Sequence, residues 1–318
     1  MTEVIMKKLF KGVLALCLAV CCLLGVTSCD VIKNGSKLQK VTVTLSVNGG
    51  EQQDFNFELY LNLAPGTIDH FTHLATEGYY DNTVVSNLKG HVEFGAYYLA
   101  DGAFKSKYDQ GDKSYASIID ATYAANKTVG PFSDARYDDK FNVVGEFAAN
   151  GYTGNTLTLD GALVLKREDL EEYNSGRATM AITFGSDTYF TNASEFAVIG
   201  KILTDDAEDE DETSYNRLKE IMKDYAEDEH GNVYYNYTYV SNERKDEYGK
   251  FFMLSEETGA YYAMDENGEY TIEIVDDESV DGDAGEILLE EFSTNAKYLN
   301  VLPYGDTVIT VTKIVFAD

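Results

Sequence analysis

The stretch Phe57-Glu-Leu-Tyr-Leu-Asn-Leu-Ala-Pro65-Gly-Thr-Ile-Asp-His70-Phe-Thr-His73-Leu-Ala-Thr-Glu-Gly78-Tyr-Tyr-Asp-Asn-Thr83 changes hydrophobic period twice within 27 residues. Apolar residues alternate up to Leu61, as on a strand. After Pro65, Ile68, Phe71, Leu74 and Ala75 fall at helical spacing. Proline is favoured in a first helical turn, where its missing N–H has no partner to lose, and Gly78 follows as a stop. The segment therefore predicts a strand, one short amphipathic helix and a turn. His70 and His73 lie three apart on that helix with no third ligand nearby, so they are expected to be structural histidines at its surface.

Outward from this segment the pattern is β. Val41-Thr-Val-Thr-Leu-Ser-Val47 alternates, Asn48-Gly49-Gly50 turns the chain, and Phe55 to Tyr60 alternates again, which reads as a hairpin. Short β-like runs broken by Gly, Asn and Asp follow from 83 to 203, including Thr158 to Leu165, Thr179 to Thr183 and Phe196 to Leu203. The acidic run Asp205 to Glu212 lacks the alternating ligand spacing of a calcium loop and is expected to be solvated. Thr213 or Ser214 then caps a second helix with Leu218, Ile221 and Met222 on one face. Residues 228–295 differ in texture, with tyrosine-rich strands such as Asn232 to Val240 joined by acidic turns. Asp306 to Phe316 returns to a β-branched run placed to close a sheet begun near residue 41.

The N-terminus is of another kind. Lys7 and Lys8 precede an apolar run from Val13 to Leu24, too short for a stable span, which needs roughly 20 apolar residues. Val26-Thr-Ser-Cys29 then resembles the lipobox of bacterial lipoproteins, with Cys29 as the acylated residue and Met6 as an alternative start. The expected organisation is a signal peptide over 1–28, a lipid-anchored linker over 29–40, a domain formed by 41–227 and 296–318, and a β-rich insertion over 228–295. The chain would be exported and tethered to the outer face of the bacterial cytoplasmic membrane. Asp30 would favour retention there where two membranes exist.

All four cysteines lie at or before position 29, so the body has no disulfide, zinc cluster or cysteine nucleophile to draw on. Residues 1–28 hold three lysines and one glutamate, so the remaining chain carries 22 basic against 54 acidic groups, a net charge of −32. Such a field repels phosphate backbones, and nucleic acid is not an expected partner. No phosphate-binding glycine loop, His-Glu-x-x-His pair or Gly-x-Ser-x-Gly elbow is present, and no cofactor is expected.

The order from Phe57 to Thr83 resembles the first strand, helix and turn of the cyclophilin-type peptidyl-prolyl cis-trans isomerases. Asp160 to Arg167, Asn174 to Ile182 and Phe196 to Ile202 are similar to three later strands of that family. The resemblance covers residues 41–226 and 301–316. It implies a mainly β fold, a cyclophilin-like closed eight-stranded antiparallel barrel capped by two helices, here with a tyrosine-rich β-hairpin insertion before the last strand. It also implies proline isomerisation in a groove that binds proline-containing peptides or unfolded exported proteins.

Within that resemblance the groove positions are substituted. Asn87 stands at the catalytic arginine. Val92, Glu93 and Gly95 fall where the family has an apolar and glutamine-bearing strand. Thr179 and Ala181 replace a glutamine and an aromatic wall, and Phe190 or Thr191 lies near a rim tryptophan. Rotation about an X-Pro bond faces a barrier near 18–20 kcal/mol, and one preorganised donor is worth roughly 10²–10³ in rate. Two expectations follow: a lipid-anchored isomerase assisting exported proteins, or a non-catalytic peptide- or protein-binding module. Arg136, in the segment 101–140 that departs most from the family, is a candidate to refill the groove.

Overall fold

The computed structural model describes residues 38–100, 103–127, 136–152, 158–185, 189–226 and 307–317, together with short strands between 233 and 303. Cys29 and the tether lie outside the described residues.

The chain runs through β1 (Leu38–Val47), β2 (Gln52–Tyr60), α1 (Pro65–Thr76), β3 (Thr83–Asn87), β4 (His91–Ala100) and β5 (Ala103–Ser106). Two short helices follow, α2 (Tyr115–Ile118) and α3 (Ala121–Ala125), then β6 (Asp160–Arg167), β7 (Gly176–Phe184), β8 (Ala197–Ile202) and α4 (Ser214–Ala226). Strands β9 (Val233–Asn236), β10 (Phe251–Leu254), β11 (Tyr261–Met264), β12 (Tyr270–Val275), β13 (Glu286–Leu288) and β14 (Val301–Leu302) form a separate six-stranded sheet. The last strand, β15 (Ile309–Phe316), returns to the first sheet.

That first sheet has the order β3-β15-β1-β2-β8-β6-β7-β4-β5, and β3 also pairs with β4. The extra pairing joins the two ends into a closed ring of eight strands, with β5 as a ninth laid on β4. Closure removes the open sheet edges that would otherwise invite association. The hairpin joining β1 to β2 turns through Asn48 and Gly49, both left-handed at φ 50° and 66°, as the Asn-Gly signal predicts.

The interior follows the period-two pattern. Val41, Val43 and Leu45 of β1 point inward beside Phe57 and Leu59 of β2 and Ile309 and Val311 of β15. Both long helices add to this core, α1 through Ile68, Phe71, Leu74 and Ala75, and α4 through Leu218 and Ile221. Burying one such side chain stabilises by roughly 1.5–3 kcal/mol, so a disulfide-free body of this size needs no covalent staple.

Helix α1 has an unusual start. Ala64 at its N-cap offers no side chain. Instead the Glu146 carboxylate accepts the Gly66 amide at 3.0 Å, the Thr67 amide at 2.7 Å and the Thr67 hydroxyl at 2.9 Å. A negative group at the positive end of the helix satisfies two orphan amides at once. Burial nevertheless raises the Glu146 carboxyl above its ordinary value, only partly offset by these hydrogen bonds.

The two helix histidines depart from expectation. His70 is fully buried, not at the surface. Its Nε2 lies 2.5 Å from the Arg177 carbonyl and its Nδ1 2.7 Å from the Tyr137 hydroxyl. A carbonyl only accepts, so Nε2 carries the proton and Nδ1 accepts from Tyr137. Burial lowers the His70 pKa to about 4, against the opposing pull of the Arg177 carbonyl. His73 is half-buried and stacked on Tyr123, with ring centroids 4.0 Å apart. Both rings help pin Tyr115, Tyr123 and Tyr137 onto α1.

Candidate functional site

Strands β4, β7 and β6 lie side by side, with Glu93 opposite Ala181 and Ala181 opposite Val164. Alternation turns Phe94, Met180 and Leu165 into the core, and so turns Glu93, Ala181 and Val164 to the outer face. Val92 belongs with the inward set, so it is a core residue and not part of a groove wall. Glu93, Thr179 and Ala181 share the outer side and are buried, and Phe190 is buried against His91.

The cover is the chain itself. Phe190 is fully buried and meets His91 at 4.9 Å, Phe196 at 4.7 Å and Tyr189 at 4.9 Å between ring centroids. The Tyr189 ring lies 4.8 Å from Lys166 Nζ, and its hydroxyl donates to the Arg167 carbonyl. The sequence places Phe190 near a rim; the structure buries it among His91, Tyr189 and Phe196.

Beneath that cover sits an ion pair. Lys166 Nζ donates to Glu93 Oε2, Ser86 Oγ donates to Oε1 at 3.0 Å, and His91 Nε2 lies 3.5 Å from Oε2. Burial works to raise the Glu93 carboxyl, but Lys166 and then His91 outweigh it and hold its pKa at about 2. In Lys166 burial works downward and the Glu93 charge outweighs it, leaving the ammonium above its ordinary range. The acid that looked misplaced on an apolar wall is therefore matched by a cation 73 residues away, which no local spacing announces.

The Asn87 amide is engaged within its own turn. Its Nδ2 donates to the His91 carbonyl at 2.8 Å and the Lys89 carbonyl at 3.1 Å, so the side chain closes the turn between β3 and β4. Gly95 has a similarly structural reason. Its φ is +97°, and a Cβ there would come within 2.7 Å of the Ala178 carbonyl oxygen and 2.9 Å of the Tyr80 ring.

One end of this face stays nearer to solvent. Thr179 Oγ1 lies 2.5 Å from the Tyr108 hydroxyl and donates to Glu168 Oε1 at 3.0 Å, while Tyr108 also bonds Glu168. Tyr108 and Arg177 are half-buried and Glu168 is exposed. The Arg177 guanidinium sits 5.5 Å from the Tyr108 ring centre, with Nε donating to Asn142. Burial raises the Tyr108 pKa well above the ordinary phenol value, so its hydroxyl stays protonated. Tyr108, Glu168 and Lys166 were not singled out from sequence. Arg136 does not refill the groove: it pairs with Asp69 on α1, with Lys127 at 3.9 Å from the same carboxylate.

No curated protein matches the chain. Among solved structures, a Cryptosporidium parvum cyclophilin type peptidyl-prolyl cis-trans isomerase is 18% identical, over 61% of this chain and 90% of that one, at a TM-score of 0.33. The same protein crystallised in the presence of the dipeptide Ala-Pro is 19% identical, over 60% of this chain and 89% of that one, at 0.32. The family described as cyclophilin type peptidyl-prolyl cis-trans isomerase/CLD matches residues 42–205, just over half of the sequence. With its closed eight-stranded ring and that match, the chain belongs to the cyclophilin-type peptidyl-prolyl cis-trans isomerase family.

Proposed function

We propose that this protein is a lipid-anchored cyclophilin of the bacterial cell envelope that engages exported proteins without rapid proline isomerisation. The observation that carries this reading is the Glu93–Lys166 pair buried beneath Tyr189 and Phe190. A proline ring needs an open apolar seat, and here that surface holds two charges and is filled by the chain's own aromatic side chains. The arginine position adds to the case, since Asn87 is tied to two backbone carbonyls of its own turn. Export and anchoring rest on the sequence from Lys7 to Cys29, and proline-containing or unfolded exported chains are the partners that family membership favours.

The test is a proline cis/trans assay on a tetrapeptide panel, using protein that starts at residue 30, beside an Asn87→Arg variant. The expected result is no acceleration by either form, because restoring the cation does not empty the seat. Acceleration by the native protein would overturn the proposal. A second reading then has a specific donor: the protonated Tyr108 hydroxyl beside Thr179 at the less covered end. In that case Tyr108→Phe would abolish the activity.

A further inference from the structure

The outer face of β4, β7 and β6 has a corner where its strands separate. Strand β4 runs beside β7 only from His91, opposite Thr183, to Phe94, opposite Met180. At Gly95 the backbone turns left-handed, and from Tyr97 onward β4 pairs with β5. On β7, Ala178 and Met180 belong to the core, so Arg177 and Thr179 point out where β4 has left. The half-buried Tyr108 lies against both, its hydroxyl on Thr179 and its ring under the Arg177 guanidinium, 5.5 Å from ring centre to Cζ.

Arg177 is held there without an acid. Asp138 accepts from Asn142 Nδ2 at 2.9 Å, and a carboxylate only accepts, so the Asn142 Oδ1 is the atom left for Arg177. That oxygen accepts from Arg177 Nε at 2.8 Å. One edge of the guanidinium is thus fixed by a buried amide and one face by a ring, while Nη1 and Nη2 meet no protein acceptor among the described residues. Each of the other described arginines has a terminal nitrogen engaged inside the protein: Arg136 on Asp69, Arg167 on Glu195 and the Leu170 carbonyl, Arg217 on the Asp54 carbonyl. Lys40, Lys105 and Lys313 also lack an ion pair among the described residues, but an ammonium on a flexible stem is served by water. The acids of this corner are already engaged, Asp138 by the amides of Lys140 and Asn142 and Glu168 by Tyr108 and Thr179.

A planar guanidinium with both terminal donors free suits a carboxylate, which takes two parallel N–H···O bonds from such a fork. Filling the seat costs little conformational entropy, because Asn142 and Tyr108 have ordered the side chain in advance. The middle of the same face holds the Glu93–Lys166 pair beneath Tyr189, so this corner is where a polypeptide lying on it meets an unmatched charge. We infer that Arg177 anchors the bound polypeptide by a carboxylate, from an acidic side chain or a free C-terminus. This deepens the proposed function and rests on its reading that the protein engages polypeptides.

The purified full chain, in neutral detergent, is titrated with three pools of fluorescein-labelled octapeptides, each holding one proline among random uncharged residues. The first pool has one glutamate and an amidated C-terminus, the second has glutamine in its place, and the third has that glutamine with a free C-terminus. Anisotropy should show a carboxylate pool binding about tenfold more tightly than the glutamine amide pool, as a charge-assisted pair provides. Which carboxylate pool shows the preference identifies its source. The strongly acidic protein otherwise repels both, so general electrostatics works against this result. Arg177→Gln should abolish the preference, and Arg177→Lys, which keeps the charge without the fork, should keep only a small part of it. Equal binding of the three pools by the native protein, or a preference unchanged in the two variants, would overturn the inference and leave polypeptide engagement standing. Failure of every pool to bind would remove that engagement as well.

Discussion

Glu146 caps a helix that began 80 residues earlier, its carboxylate holding the amides of Gly66 and Thr67 at 3.0 and 2.7 Å. No residue at the helix start performs this task, because Ala64 stands at the cap. Glu146→Ala should therefore destabilise the protein by about 1–3 kcal/mol, combining a lost cap with buried amides left unpaired. Thermal unfolding followed by circular dichroism measures it. A change under about 0.5 kcal/mol would mean that solvent replaces the carboxylate.

Removal of one member of the Glu93–Lys166 pair should cost far more than removal of both. Lys166→Met alone strands a buried carboxylate and is expected to cost about 3–5 kcal/mol, whereas Glu93→Leu with Lys166→Met should come close to neutral. Denaturant midpoints of the two singles and the double complete the cycle. Additive losses would show that the two charges do not interact.

Acid should weaken the fold in two separable steps. The folded pKa of His70 lies near 4, below the 6.5 of the unfolded group, so between these values the unfolded chain takes up a proton that the native one refuses. Stability therefore falls as pH drops from about 6.5 to 4, by about 3 kcal/mol. Glu93 acts in the next window: its stabilising contribution is present above 4.5 and is lost as pH falls toward 2. Urea midpoints across this range should show both slopes, and His70→Gln should flatten the upper one alone.

Restoring the family's glutamine at position 95 should damage the protein rather than repair it. Gly95→Gln places a side chain at φ +97° and drives its Cβ into the Ala178 carbonyl and the Tyr80 ring. The expected loss is at least 2 kcal/mol, from the strained backbone and the crowding together, seen as reduced soluble yield and an earlier thermal transition. An unperturbed melting curve would show that β4 can shift away from β7.

The features legible in the sequence are those written in neighbouring residues. The strand, Pro65 and the helix to Thr76 could be read because period and terminators are local, and β1 and β15 announced themselves by β-branched alternation. The contents of the outer face could not be read in this way. Lys166 reaches Glu93 across 73 residues, and Phe190 covers them from a loop whose alignment carried no depth information. His70 is the instructive miss, because a signal was present: it sits four residues before Leu74 and three after Thr67, both buried, so the helical face argued for burial before any ligand question arose.

The β1–β15 pairing has a consequence in time as well as in space. Val43 meets Ile314 across 271 positions of chain, so the ring cannot be sealed until almost the whole polypeptide is available. During synthesis an early strand waits with an unpaired edge while the intervening elements emerge, and pairing over such sequence distance is slow. A chain halted before residue 309 would leave β1 and β3 both open. The last strand to be made is thus the one on which closure of the whole ring depends.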